Sequence, residues 1–146
     1  MVEVIVLDAG PLGMASHPRP TAEFLGWLAQ VLAAGVEVLV PEIADYEVRR
    51  ELLRAGRTKG VQRLDEIKAS LGYLPITTEA MLKAAELWAE ARRRGRPTAR
   101  DESLDADVIL AAQAATLHGK DVVVASTNPK HLTRFVPAAH WQDIQP

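Results

Sequence analysis

The sequence predicts a three-layer α/β domain in which a parallel sheet is flanked by helices on both sides. Short apolar runs at 2–7, 36–40 and 121–125 alternate with longer segments whose apolar residues recur at helical spacing. Strands that are apolar along their whole length are typical of parallel sheets, because both faces of such a sheet are covered. Helices should therefore connect successive strands and cover the sheet.

Turn residues and helix caps divide the chain into these elements. Glycine and proline after residue 8 are expected to end the first strand and begin a loop, and Gly35 is placed as the C-cap of the first helix. Thr77 or Thr78 can cap the longest helix, which Gly95 and Pro97 end. The predicted strands are 2–7, 36–40, 73–76 and 121–125; the predicted helices are 21–34, 43–53, 61–71, 79–94 and 104–117; breaks or loops are predicted at 56–60 and 98–103, with a final turn region from Asn128.

Length and composition indicate one soluble globular domain spanning residues 1–146. Of these residues, 48% are hydrophobic and 25% are charged, which is ordinary for a folded domain. The net charge of −2 does not by itself indicate a nucleic-acid binder, so any such contact must come from local patches. The absence of cysteine excludes disulfides and thiol catalysis. The first residues lack the pattern of a signal peptide or membrane span, and we expect a cytoplasmic protein without membrane association.

Polar residues follow two of the predicted strands. Asp8 comes directly after the first strand, and Ser126 and Asn128 follow the strand at 121–125. Because the carboxyl ends of parallel strands meet at one edge of the sheet, these side chains are expected to converge there. Carboxylates brought together repel one another unless a cation neutralises them, and oxygen ligands suit Mg²⁺ or Mn²⁺.

Four segments carry a resemblance to a known family. They are Val-Leu-Asp8-Ala-Gly-Pro-Leu, Pro41-Glu-Ile-Ala-Asp-Tyr-Glu47, Asp107-Val-Ile-Leu-Ala-Ala and Ala-Ser126-Thr-Asn128. In this order and spacing they resemble the PIN-domain nucleases, including the toxin subunits of VapBC-type toxin-antitoxin pairs. The resemblance covers essentially the whole chain, and it implies a PIN-like fold.

The resemblance also implies an activity and a site. The activity is hydrolysis of RNA phosphodiester bonds by an endoribonuclease that depends on Mg²⁺ or Mn²⁺. Asp8, Glu47 and Asp107 would be the catalytic and metal-binding acids, with Asn128 as a neutral fourth ligand and Ser126 in support. An antitoxin partner and a homodimer are implied as well.

Several residues allow a second interpretation. Asp105 competes with Asp107 for the third position; two residues along a helix is a rotation of about 200°, so both cannot face the site, and Asp107 fits the family spacing. Asp8 alone could cap a turn, and Glu47 alone could be a solvated helical charge, as Asp45 and Glu51 are interpreted to be. Asp101 and Glu102 are expected in a loop.

Basic, histidine and tryptophan residues give weaker indications. Two basic clusters could bind phosphates or could equally be solvated helix faces. The four histidines show no paired metal-binding spacing, and the three tryptophans are expected as core or interface anchors. The clusters are Arg49, Arg50, Arg54, Arg57, Lys59 and Arg63, and then Arg92, Arg93, Arg94, Arg96 and Arg100.

Two other functions compete with the ribonuclease. The neutral Asn128 and the uncertain third acid allow a catalytically inactive PIN-fold module that binds RNA or protein. A phospho-acceptor receiver domain also carries an Asp after a strand, but the early acidic pair and the late strand-end lysine of such domains are not correctly placed here.

Overall fold

Five parallel strands form the central sheet in the computed structural model, in the order β3-β2-β1-β4-β5. The description covers residues 1–94 and 101–146, without the side chains of residues 101–103. In the described part of the chain the strands are β1 (Val4–Leu7), β2 (Glu37–Pro41), β3 (Gly72–Leu74), β4 (Val122–Ser126) and β5 (Ala138–His140). The helices are α1 (Ala9–Ser16), α2 (Ala22–Ala33), α3 (Glu42–Arg54), α4 (Thr58–Ser70), α5 (Thr78–Arg93) and α6 (Asp101–Ala115).

The central strand β1 separates two apolar cores. Its side chains alternate between the faces of the sheet, as they must in any strand. Val4 and Val6 pack with residues of α5 and α6, whereas Ile5 and Leu7 pack with residues of α1, α2 and α4. The predicted three-layer α/β architecture is therefore confirmed.

The loop predicted directly after Asp8 is wrong, because the chain enters α1 at once. Asp8 is the N-cap of α1, and its Oδ1 accepts a hydrogen bond from the backbone N–H of Ala9 at 2.7 Å. Pro11 lies in the first turn of α1, where a missing backbone N–H has little cost. Gly10 permits α1 to approach β4 closely, since a Cβ at this position would lie 2.5 Å from Oγ1 of Thr127.

Two further differences concern the second half of the chain. Helix α6 begins at Asp101, so Asp101 and Glu102 belong to its first turn and the predicted loop is wrong over its last three residues. The predicted helix end at Gly95 and Pro97 lies outside the described residues. The strand β5 was not predicted, because three residues are too few to show a hydrophobic period.

Asp45 is buried rather than solvated, contrary to the sequence-based interpretation. Its Oδ1 lies 2.9 Å from the guanidinium of Arg49, and its Oδ2 lies 2.8 Å from Nζ of Lys68. Because Arg49 and Lys68 come from α3 and α4, the paired Asp45 ties these two helices together. Glu51, which pairs with Arg54 at the surface, fits the original interpretation.

A buried glutamine connects α6 to α3 and β3. Nε2 of Gln113 donates to the carbonyl oxygen of Leu74 at 2.8 Å, and its Oε1 accepts from the backbone N–H of Ile43 at 3.3 Å. Gln113 is 1% exposed. It therefore fixes α6 relative to the first turn of α3 and to the end of β3.

The tryptophans divide between core and surface. Trp27 and Trp141 pack with Phe24 in an aromatic cluster, and Nε1 of Trp27 donates to the carbonyl oxygen of Ile144 at 2.9 Å. Trp88 is 40% exposed on α5 and lines one cavity with the exposed Met81 of the same helix. The homodimer stays a prediction, for which this apolar part of α5 is a candidate surface.

None of the helices in the described segments combines the length and hydropathy that a membrane span requires.

Replacing Gln113 by leucine is expected to destabilise the fold. The substitution keeps the volume similar but leaves the Leu74 carbonyl and the Ile43 N–H without their partner, at a cost of about 1–3 kcal/mol for each buried group. Thermal unfolding should show a melting temperature lower by several degrees. Gln30→Leu, at an exposed position of α2, is the control and should change it little. Equal melting temperatures for Gln113→Leu and the wild type would contradict this role.

Candidate active site

The parallel register of β1 and β4 brings Asp8 and Ser126 together. Leu7 is paired with Ala125, so the next residues of the two strands lie side by side. Oγ of Ser126 donates to Oδ2 of Asp8 at 2.7 Å, and the backbone N–H of Asp8 donates to the Ala125 carbonyl oxygen at 2.9 Å. With Ala9 N–H on Oδ1, both carboxylate oxygens of Asp8 are held by donors, and the side chain is fixed at the carboxyl edge of the sheet.

Glu47 reaches the same edge from the neighbouring strand β2. Proline 41 ends this strand, α3 begins at once, and Glu47 lies in the second turn of the helix with a half-buried side chain. Burial raises the pKa of Glu47 to about 7, with a further contribution from the negative charge of Asp8 and a smaller one from Asp107. Arg50 opposes this increase in pKa. Glu47 is therefore electrostatically coupled to both other acids.

Asp107 approaches from α6. Burial and, second, the charge of Asp8 together raise the pKa of Asp107 to about 7, against a lowering effect of Arg134. Among the charged groups that act on Glu47 and Asp107, Asp8 has the largest effect on the pKa of each.

Asp105 points elsewhere. Its side chain is exposed, and it lines a cavity of about 380 Å³ together with Met81 and Trp88 of α5. The helical rotation that separates positions two apart thus places Asp105 and Asp107 on different sides of α6. The structure brings Asp107, and not Asp105, to Asp8.

Asn128 lies at the end of β4, beside the acidic set. Its backbone N–H donates to Oγ of Ser126 at 2.9 Å, so Ser126 connects Asn128 to the Asp8 carboxylate. The Asn128 side chain is exposed and makes no hydrogen bond within the described part of the chain. Its amide oxygen is therefore available to a ligand at this edge.

The PIN domain family model matches residues 5–134, a segment that contains every residue of this acidic set. The chain belongs to the PIN domain family. No curated protein matches this PIN domain significantly at the level of sequence.

Solved structures share the fold of this PIN domain at low sequence identity. VapBC2 from Rickettsia felis, bound to a DNA fragment from its promoter, matches with a TM-score of 0.75 at 15% identity, covering 94% of this chain and 98% of that one. FitAcB from Neisseria gonorrhoeae matches with a TM-score of 0.69 at 19% identity, covering 96% of this chain and 99% of that one. VapBC-1 from nontypeable Haemophilus influenzae matches with a TM-score of 0.71 at 15% identity, also covering 96% of this chain and 99% of that one. These likenesses establish a shared fold.

The donor set of this PIN domain fits a hydrated divalent cation. Among the described residues, no three acidic or histidine side chains lie close enough to enclose an ion directly. Mg²⁺ in proteins commonly keeps several waters and uses one or two carboxylates, so a looser arrangement still suits it. The raised pKa values of Glu47 and Asp107 reflect burial first and then the charge of Asp8, so the charged forms of both acids are disfavoured in the metal-free site. A cation would favour these charged forms.

Two residues around the site were not found from the sequence. Gln113 positions α6, and its signal was available, since it interrupts the apolar stretch of α6 with a polar side chain. Arg134 lies near Asp107 after an irregular segment, and nothing in the local sequence indicates that proximity. Only the packing of this segment against α6 reveals it.

The mutual repulsion of these acids predicts a pH-dependent effect of Asp8→Asn. Because the folded-state pKa values of Glu47 and Asp107 exceed their ordinary values of 4.5 and 3.8, both groups make the stability of the wild type fall as pH rises from about 4 to about 7. Asparagine at position 8 removes the Asp8 charge, which adds to the effect of burial on both pKa values. The difference in free energy of unfolding between Asp8→Asn and wild type, measured by urea titration in EDTA, should therefore shift in favour of Asp8→Asn as pH rises from 4.5 to about 7 and then level off.

Asp105→Asn is the matched control for this measurement, since it removes an acid from the outer side of α6. Its stability should follow the wild-type pH profile. A difference between Asp8→Asn and wild type that stays constant across this pH range would contradict the coupling.

Proposed function

We propose that this PIN domain is a divalent-metal-dependent endoribonuclease that hydrolyses RNA phosphodiester bonds. The observation that carries the proposal is the electrostatic interaction of Asp8, which follows β1, with Glu47 of α3 and Asp107 of α6 at one edge of the parallel sheet. Two of them have a pKa of about 7, and such strongly raised values of clustered acids are typical of functional sites. A purely structural cluster of this kind would only cost stability.

Asp8, Glu47 and Asp107 would hold Mg²⁺ or Mn²⁺, with the amide oxygen of Asn128 as a neutral fourth ligand. When bound, the ion supplies the positive charge that favours an activated water and a developing oxyanion in phosphodiester hydrolysis. Ser126 Oγ and Ala9 N–H orient the Asp8 carboxylate by occupying one lone pair on each oxygen. The remaining lone pairs of Asp8 are free to face the ion.

Loss of the Asp8 charge should abolish most RNA cleavage. Asp8→Asn keeps the size of the side chain and much of its hydrogen bonding but removes a charged metal ligand. We therefore expect the rate of RNA cleavage to fall by more than the ~10–100-fold that is typical when a residue hydrogen-bonded to a metal ligand is lost. Ser126→Ala, which removes such a hydrogen-bonding partner, should fall within that range. Gel analysis of an RNA panel with Mg²⁺ or Mn²⁺ measures both.

Asp105→Asn is the control for cleavage as well, and its activity should equal that of the wild type. Thermal unfolding with increasing Mn²⁺ adds an independent readout, because an ion that binds only the folded state raises the melting temperature. Equal cleavage by wild type and Asp8→Asn would overturn the proposal.

We further propose that a small antitoxin inhibits the enzyme in the cytoplasm. The VapBC complexes among the solved structures of the same fold support this proposal. A groove of about 620 Å³ lies beside α3, the helix that carries Glu47, with Val48 and Leu52 in its lining and Arg57 and Lys59 among the residues around it. An apolar segment with acidic residues would match this surface.

The role of the groove can be tested by a substitution at one of its glycines. Gly13 lines it, and a Cβ at this position would meet nothing within 4 Å. The partner to use is a short DNA-binding protein, if the gene next to this one encodes it. Gly13→Phe should prevent its capture, while RNA cleavage by the free enzyme persists. Co-purification and titration of RNA cleavage with the partner measure this effect. Unchanged inhibition of Gly13→Phe would contradict a role for the groove.

An inactive PIN-fold binding module is the second candidate. It is favoured by the neutral Asn128 and by the lack of a directly enclosed ion site among the described residues. Calorimetric titration with Mn²⁺ separates the two functions, since a module without a metal site would release no binding heat and would bind RNA without cleaving it.

A further inference from the structure

Two arginines flank the acidic set from opposite sides. In the sheet, β1 with Asp8 lies between β2 and β4. Arg50 lies on α3, which follows β2, and is three residues after Glu47, a spacing that places both on one side of the helix. Arg134 follows β4 and the short 3₁₀ turn after it. The positive charges therefore lie on the two sides of the central acid.

Neither arginine is neutralised by a carboxylate at ion-pair distance within the described residues. On α3, Arg49 instead binds Asp45 and Asp65, and Arg54 binds Glu51. Arg50 therefore differs from the arginines beside it on the same helix. Its charge acts on Glu47 of the acidic set, and also on Tyr46 and Glu51.

Each of the two guanidinium groups lies over an aromatic ring. The Cζ atom of Arg50 is 5.1 Å from the centroid of the Tyr46 ring, and Cζ of Arg134 is 4.6 Å from the centroid of Phe135. Arg50 also interacts with the Tyr46 side chain through a hydrogen bond, which leaves most of the five N–H donors of its guanidinium available. Both arginines are exposed, so these donors can reach a ligand from solvent.

The charges of both arginines act on the acids. Arg50 lowers the pKa of Glu47, and Arg134 lowers the pKa of Asp107. These couplings support the geometry, since they require each arginine to lie close to a different acid. A polyanion approaching the carboxylates would meet a guanidinium on either side.

We propose that Arg50 and Arg134 bind the backbone phosphates of RNA on the two sides of the phosphodiester to be cleaved. This inference rests on the proposed function and identifies the residues that bring a polyanionic substrate to an acidic site. Guanidinium groups match phosphate oxygens with paired N–H donors, and ring contacts reduce the freedom lost when the phosphate binds. The two contacts would fix the strand across the Asp8 edge.

Binding and cleavage can be measured separately in the Asp8→Asn background. A fluorescent single-stranded RNA is titrated with the protein in EDTA at several NaCl concentrations, and log Kd is plotted against log salt. Each phosphate contact on a single strand contributes about 0.7 to the slope. Arg50→Ala and Arg134→Ala should each weaken binding several-fold and lower the slope by about 0.7. Lysine at either position should restore the slope.

Arg54→Ala is the matched control, because Arg54 lies one turn further along α3 and is paired with Glu51. Its Kd and slope should stay near those of the parent. Melting temperatures of all variants show whether each is folded. Equal losses for Arg54→Ala would indicate diffuse attraction and would overturn the proposal, as would an unchanged slope in the folded Arg50 and Arg134 variants.

The inference and the proposed function fail in different ways. If the wild type cleaves RNA while both arginine variants keep the parental slope, the inference is wrong and the ribonuclease stands. If RNA binds with the expected slopes but the wild type never cleaves it with Mg²⁺ or Mn²⁺, the ribonuclease is wrong and the phosphate contacts stand. Absence of RNA binding in the parent would overturn the inference.

Discussion

Parallel pairing of β1 with both β2 and β4 is the constraint on which the site depends. Because β2, β1 and β4 are neighbours and run in the same direction, their carboxyl ends lie at one edge of the sheet, and the residues that follow them lie close together there. Because Leu7 is paired with Ala125, Asp8 and Ser126 become neighbours although the chain between them contains most of the domain. A shift of one residue in this register would separate them and reverse the faces of the side chains.

The same edge concentrates negative charge that the protein itself compensates only in part. Asp8 is held by Ser126 and by the first N–H of α1, whereas Glu47 and Asp107 lose solvent and face the Asp8 charge. Such an arrangement lowers the stability of the metal-free protein above neutral pH. This loss of stability is explained if a bound ligand balances the charge of the acids. In a fold that bound no such ligand, apolar residues would be expected at these positions.

The basic residues divide according to their partners. Asp45 forms ion pairs with Arg49 and Lys68 and so holds α3 against α4. The arginine-rich helix α3 therefore contains arginines that are paired with carboxylates and arginines that can bind a ligand. Arg50, which pairs with a ring instead of a carboxylate, belongs to the second group. Charge patterning along the helix could not distinguish them, because Glu47 and Arg50 have the same spacing as the paired Glu51 and Arg54.

The sequence by itself determined the layer architecture and four of the described strands, because apolar periodicity is a local property. It placed Asp8 at a strand end, whereas Glu47 and Asp107 were named from the resemblance to PIN domains. It failed at α1, where the capping role of Asp8 outweighed the turn signal of Gly10 and Pro11, and at β5, which is too short to show a pattern. Only the tertiary structure decided that Asp107 and not Asp105 lies beside Asp8, that Asp45 is buried, and that Arg134 reaches the site. These facts depend on how α6 and the segment after β4 pack, and such non-local contacts leave no mark on the neighbouring residues in sequence.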